Sequence, residues 1–256
     1  MSQHEGEQDR AARSMQNDWN QRASTNPFYA VDSVVDHQAF DTFYERGREI
    51  VMSEIDPVTN KRNIDTKTAR VLEIGCGMGR LFPGLADRFL AVSGIDISTA
   101  MIDQGKAACP IDASWFVGDG SRLLGVDSES IDYVLSFEMF QHINSLAVVQ
   151  SYVHEIARVL VPGGSFQIQM RQGSDTARQD IVRKLPRPLR VLSGHIVRIA
   201  GITPVKGDID TWLGSIIAPD SARDIAASAG LTDLEIIPDT FHLPGMGYWL
   251  VGSKPR

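Results

Sequence analysis

The chain has only two cysteines in 256 residues. Cys76 and Cys109 build no disulfide framework and no metal-ligand spacing, so both are expected as reduced thiols and no metal site is predicted. No apolar run comes near the roughly 20 residues that a spanning helix needs, and no membrane role is expected. The opening MSQHEGEQDRAARSMQNDWNQ also lacks the apolar stretch of a secretory signal, which makes a cytoplasmic location the expectation. Positive charge is in deficit as well. Lys and Arg number 25 against 32 Asp and Glu, a net charge of −7, and this argues against a nucleic-acid partner, whose phosphates call for clustered bases. What remains is ordinary globular composition, 43% hydrophobic and 22% charged, at a length suited to one well-buried core.

One stretch runs against the acidic average. Arg183, Lys184, Arg187, Arg190 and Arg198 alternate with Ile181, Val182, Leu185, Leu189 and Val191. The pattern fits a helical cover whose basic face meets solvent, and it is also the pattern of a basic amphipathic surface.

The first twenty or so residues are polar and expected to fray, with helices from about Trp19 to Ile55 completing an N-terminal cover over residues 1–60. From Arg70 to Met170 short apolar runs alternate with helical patterns. Strands are predicted at Val71–Ile74, Phe89–Ile95, Ser114–Val117, Ile131–Phe137 and Ser165–Met170, and helices at Met78–Asp87, Thr99–Ala108 and Ala147–Leu160. Such alternation implies right-handed βαβ units on a parallel sheet with helices on both faces, an α/β fold. Pro162-Gly163-Gly164 marks the turn into the fifth strand. An irregular, partly helical lid follows over residues 171–219. A helix at Ser221–Ala229, with Asp220 as its N-cap candidate, leads to runs Leu234–Pro238 and Gly247–Ser253, read as an antiparallel hairpin that closes residues 220–256.

The strongest local signal is Val71-Leu72-Glu73-Ile74-Gly75-Cys76-Gly77-Met78-Gly79-Arg80, an apolar strand running into a glycine turn that opens a helix. Glycines let backbone pass close to a ligand in conformations that a Cβ forbids. A dinucleotide fingerprint wants its third glycine at position 80, and Arg80 stands there. Glu73 would also repel a pyrophosphate, whereas a cofactor with an ammonium and a sulfonium tolerates it. Asp96, ending the next strand, can accept from two ribose hydroxyls, with Ser98 capping the following helix. Asp119-Gly120 follows the third strand, where Asp119 can take an adenine amino group, although Asp-Gly is also a common turn pair. All three acids fall at carboxyl ends of parallel strands, where open α/β sheets bind ligands.

This series, with Leu160-x-Pro162-Gly163-Gly164, resembles the motifs of class I S-adenosylmethionine-dependent methyltransferases. The resemblance implies a Rossmann-like, seven-stranded, mostly parallel sheet and S-adenosylmethionine as cofactor. It places Glu73, Gly75, Cys76, Gly77 and Gly79 around the methionine portion, Asp96 on the ribose, Ile97 and Met101 near the adenine with Asp119 and Gly120, and Phe137 beside the cofactor. Asp18-Trp19-Asn20-x-Arg22-Ala23-x-x-Asn26-Pro27-Phe28-Tyr29, together with Gln141-His142-Ile143, resembles a branch that includes enzymes capping methylated mannose polysaccharides.

The segment after the fourth strand, Ser136-Phe137-Glu138-Met139-Phe140-Gln141-His142-Ile143, bears on the reaction. A general base must reach the acceptor's proton, and histidine titrates near neutrality. His142 is the base candidate and Glu138 the alternative. Trp19, Arg22, Tyr29 and Tyr248 are candidate acceptor contacts, since aromatic faces suit sugars and flat apolar surfaces, although any of these aromatics can equally be core. The expected activity is O-methylation of a small-molecule or carbohydrate hydroxyl, and an oligomer is compatible with the sequence. The rival readings are an NAD-dependent oxidoreductase and a non-catalytic cofactor-binding protein on the same fold.

Overall fold

The computed structural model describes residues 3–25, 40–143, 145–172, 216–241 and 247–256, with side chains from residue 12 onward. Tyr29 and the basic stretch after Ile181, with most of the expected lid, lie outside the described residues.

Seven strands form one sheet in the order β3-β2-β1-β4-β5-β7-β6. They are β1 (Arg70–Ile74), β2 (Ala91–Asp96), β3 (Ser114–Val117), β4 (Ile131–Ser136), β5 (Leu160–Arg171), β6 (Thr232–Pro238) and β7 (Gly247–Ser253). The first five pair in parallel, and β7 enters antiparallel between β5 and β6. The Rossmann-like seven-stranded architecture is therefore as the motif series implies. Pro162-Gly163-Gly164 sits inside β5, at a register shift in its pairing with β4.

Side-chain alternation sends each central strand into two apolar layers. On β4, Val134 packs on one face, while Tyr133 and Leu135 pack on the other. The Val134 face is covered by α6 (Leu146–Val159) and α7 (Pro219–Ser228). The opposite face is covered by α2 (Phe40–Ile50), a π-helical turn at Val51–Ile55, α3 (Asp56–Lys61), α4 (Phe82–Ala86) and α5 (Thr99–Ala108). A buried polar cluster stitches this second layer to the sheet. Glu54 in the π turn accepts from Trp249 Nε1 (2.8 Å) and from Thr240, and its carbonyl accepts from Gln167 Nε2 (2.9 Å).

Three sequence expectations change. The polar N-terminal segment is helical: α1 runs from Gln3 to Thr25. Ala12, Met15 and Ala23 are buried at helical spacing with Trp19 half-buried between them, and the polar side chains on that face are used. Gln16 Nε2 donates to the Ile97 carbonyl (2.9 Å), and Asn20 Oδ1 accepts from Ser98 Oγ (2.7 Å). The helix predicted from Met78 begins only at Phe82, because Gly77 and Gly79 hold φ of +53° and +74° and no α-helix propagates through left-handed residues. The N-cap of α7 is Ala218 without a side-chain cap bond, while Asp220 in the first turn pairs with Arg223 (2.9 Å). Ser98 caps α5 as expected, accepting from Met101 N (3.2 Å).

Gly47 on α2 lets that helix meet the glycine turn directly. A Cβ there would stand 1.9 Å from the Arg80 carbonyl oxygen, and a backbone atom cannot swing aside. Gly47→Ala is expected to lower unfolding stability by about 1–3 kcal/mol, measured by urea titration. A midpoint equal to wild type would show that α2 does not approach Arg80 this closely.

Candidate active site

A cavity opens at the carboxyl ends of the parallel strands. Its walls are Glu73 to Gly77 with Arg80, Ile95 to Ile97, Met101 from α5, and Gly118 after β3. Phe137 to Met139 and Gln141 to Ile143 follow β4, Tyr152 comes from α6, and Met15 and Trp19 come from α1.

The glycine turn is shaped by close approach. Gly75 has φ of +77°, and a Cβ on it would lie 2.4 Å from the Met139 side chain. Asp96 then joins two loops through one carboxylate. Its Oδ2 accepts from Gly77 N (2.9 Å) and its Oδ1 from Ser98 N (2.8 Å), which leaves acceptor capacity on both oxygens. Burial pushes the Asp96 carboxyl above its ordinary range, against the backbone amides that favour the charged form.

Glu73 is 3% exposed, and its Oε2 has no hydrogen-bond partner among the described residues. Burial pushes its carboxyl up to about 8; the Arg80 charge opposes this and the Asp96 charge adds to it. A buried carboxylate without a partner is costly, and an ammonium would satisfy it. Arg80 Nη2 meets Glu138 Oε2 at 2.6 Å, and its guanidinium lies 5.3 Å from the Phe137 ring centroid. Glu138 holds φ of +56°, a conformation uncommon outside glycine, and its N–H donates to Gln169 Oε1 (2.8 Å). Gln169 in turn donates to Asp239 Oδ2 (2.7 Å).

His142 ends a 3₁₀ turn, Phe140–His142, and faces the cavity. The Trp19 ring meets it edge-on at 5.2 Å and 73°, and Gln141 Nε2 lies 3.4 Å from its Nε2. The cover helix and the candidate base are therefore in direct contact.

Of the residues expected at the site, Glu73, Gly75, Cys76, Gly77, Asp96, Ile97, Met101, Phe137, Glu138, His142 and Trp19 come together on the cavity wall. Among the described ones, Gly79, Asp119, Gly120, Arg22 and Tyr248 do not line it. Gly79 lies under Trp115 and Phe82, where a Cβ would meet the Trp115 ring at 2.6 Å. Asp119 turns into its own loop, and Gly120 packs against Ile97 and Ala12. Arg22 sits behind Trp19, paired with Asp18 at 3.0 Å. Tyr248 is core, its hydroxyl donating to the Ile217 carbonyl (2.7 Å). Glu138, named as a second base, already accepts from Arg80. Sequence reasoning missed Arg80 as a wall residue, although its place beside the last glycine was a usable signal. It also missed Met15, Met139, Gln141 and Tyr152, whose positions depend on packing. Among the described residues, no group of three or more His, Cys, Asp and Glu gathers as a metal site, and no helix is long and apolar enough to cross a membrane.

Residues 72–168 match the family model described as a methyltransferase domain. A ubiquinone biosynthesis O-methyltransferase of Alkalilimnicola ehrlichii is 33% identical over 98 residues, 37% of this chain and 38% of that protein. An uncharacterized methyltransferase of Mycobacterium tuberculosis is 32% identical over 122 residues, 47% and 46% of the two chains. The chain thus spans less than half the length of these two curated relatives. The solved magnesium protoporphyrin IX methyltransferase from Synechocystis PCC 6803, which carries bound S-adenosylhomocysteine, is similar at a TM-score of 0.60. It is 15% identical, with 95% of this chain and 99% of that one covered.

Glu73 sets a pH dependence that needs no ligand. Its folded value of about 8 lies above the unfolded value near 4.3, so its contribution to stability is full below pH about 4 and lost as pH rises through about 8. Glu73→Gln removes this dependence. Urea unfolding from pH 5 to 9 should show the ligand-free wild type losing stability relative to Glu73→Gln as pH rises, and parallel curves would contradict the burial assigned to Glu73.

Proposed function

Residues 72–168 belong to the methyltransferase domain family of class I S-adenosylmethionine-dependent enzymes, and from that premise we propose that this protein methylates a hydroxyl oxygen of a small molecule or sugar. The observation that carries the cofactor half of this reading is the Oε2 of Glu73, buried beside the glycine turn without a partner among the described residues. An ammonium on the bound molecule donates to it and stabilises its charged form, which a pyrophosphate without a proton donor cannot do; this weighs against the NAD reading.

When bound, S-adenosylmethionine supplies a methyl group on a positively charged sulfur. The chain's own residues then have separate tasks. Glu73 holds the ammonium, and Asp96, fixed by the amides of Gly77 and Ser98, accepts from the ribose hydroxyls. Phe137, with Arg80 over its ring, provides an apolar wall next to the Glu138 turn. His142 takes the acceptor's hydroxyl proton on an imidazole nitrogen, with Gln141 and Trp19 limiting the ring's rotation. Since Arg80 occupies Glu138, histidine is the better base of the two. Both line the cavity, which favours an enzyme over a binding protein that has lost its chemistry. The oxygen acceptor is supported by the O-methyltransferase relative, and a ring-shaped acceptor by Trp19, whose indole lines the cavity next to His142.

Calorimetry with S-adenosylhomocysteine tests the cofactor. Asp96→Ala should weaken it roughly 10- to 100-fold, the effect of leaving buried hydroxyls unpaired; unchanged affinity would remove Asp96 from the site. A transfer screen with labelled cofactor over phenols, sugars, amines and carboxylates tests the acceptor class. With the acceptor found, His142→Ala should lower kcat by about 10²- to 10⁴-fold at nearly constant cofactor affinity. Near-normal kcat would end the base assignment.

A further inference from the structure

Tyr152 enters the cavity from the middle of α6, and it is only 6% exposed. Its ring is held by Phe140, edge-on at 6.0 Å and 66°. The helix on either side is pinned to the loop after β3. Ser151 Oγ donates to the Ser121 carbonyl (3.0 Å), and Glu155 Oε2 accepts from Leu123 N (2.8 Å). Yet among the described residues the Tyr152 hydroxyl makes no hydrogen bond. A tyrosine hydroxyl on an otherwise buried ring ordinarily finds a hydrogen-bond partner, and Tyr152 lines the cavity. Burial pushes its phenol well above the ordinary range, and the charges of Asp96 and Asp119 push the same way. It therefore stays protonated, able to donate as well as accept.

Asp119 stands in the opposite condition. Its Oδ1 accepts from Ser121 N (3.0 Å), Ser121 Oγ (3.1 Å) and Arg122 N (2.8 Å), and its Oδ2 accepts from Arg122 Nε (2.7 Å). That carboxylate builds its own turn. Only the neighbouring Gly118 contributes to the cavity wall. We propose that the Tyr152 hydroxyl, and not the Asp119 carboxylate, hydrogen-bonds the nucleoside part of the cofactor. The placement is chemically apt: purine ring nitrogens and ribose oxygens accept from a phenol, and ribose hydroxyls donate to it. Asp96, which faces the ribose in the proposed function, is one of the charges Tyr152 senses. The inference rests on that S-adenosyl reading and adds the side chain that selects its nucleoside.

Two probes separate the ends of the ligand: S-adenosylhomocysteine, and 5′-methylthioadenosine, which keeps the nucleoside and lacks the amino-acid tail. Calorimetry on the full chain compares wild type, Tyr152→Phe, Asp119→Asn and Glu73→Gln. Tyr152→Phe keeps the ring packing and should weaken both probes by the same factor, roughly 3- to 10-fold, with an unchanged unfolding midpoint. Glu73→Gln should weaken S-adenosylhomocysteine alone, and Asp119→Asn should leave both affinities within about twofold of wild type. Equal binding of both probes by Tyr152→Phe and wild type would overturn the proposal. So would a Tyr152→Phe loss confined to S-adenosylhomocysteine, or a large loss in Asp119→Asn. Wild type binding neither probe would instead bring down the S-adenosyl reading itself.

Discussion

Two backbone amides from different loops, Gly77 N and Ser98 N, converge on the two oxygens of Asp96. This carboxylate ties the turn after β1 to the turn after β2, and the rest of the cavity is arranged around it. The tie requires a backbone that bends sharply at Gly75 and Gly77, both in left-handed conformations, so that the chain passes beneath Met139 without a Cβ in the way. Ser98, held by its own amide, then caps α5 and offers its hydroxyl to Asn20 of the cover helix. A single acid thus sets the floor of the cavity, the start of a helix and the docking point of α1.

Around that floor the protein keeps ionisable groups where burial opposes their charge. Glu73 lies buried with one oxygen unsatisfied among the described residues, and Arg80 and Glu138 meet at the cavity wall at 2.6 Å. Removing one partner of such a pair is far more damaging than the pair's net contribution to stability suggests. The left-handed backbone of Glu138 is held by Gln169 and, behind it, Asp239. Local strain supported by a buried polar chain is the usual condition of residues whose geometry serves a ligand.

The N-terminal helix completes the enclosure. Its buried face is only partly apolar: Met15, Trp19 and Ala23 share it with Gln16, Asn20 and the Asp18–Arg22 pair. Because Trp19 touches His142, the position of α1 and the orientation of the imidazole are one structural variable. Any movement of the cover also changes the surroundings of the candidate base.

Much of this was legible in the sequence, for a physical reason. Strand and helix periods, glycines that need left-handed backbone, and acids at strand ends are local properties, so β1 to β5, the glycine turn, Glu73, Asp96 and the His142 segment could be named from residue order alone. Other features are decided by partners far away in the chain. The polarity of residues 3–20 reads as disorder until Ile97 and Ser98 supply hydrogen bonds to Gln16 and Asn20. Gly79 reads as a ligand glycine until Trp115 packs over it, and Tyr248 reads as a candidate acceptor contact until its hydroxyl donates to the Ile217 carbonyl in the core. Asp119 and Tyr152 show the same division. An acid beside glycine after a strand looks like a binding group, yet its own turn occupies it, while a tyrosine in the middle of an amphipathic helix carries no local signal. Short-range stereochemistry determined where the chain turns and which residue types stand at the turns. Tertiary packing decided which side chains remain available to a ligand, because a buried polar group takes whatever partner the fold brings near and only the ones left over face the cavity.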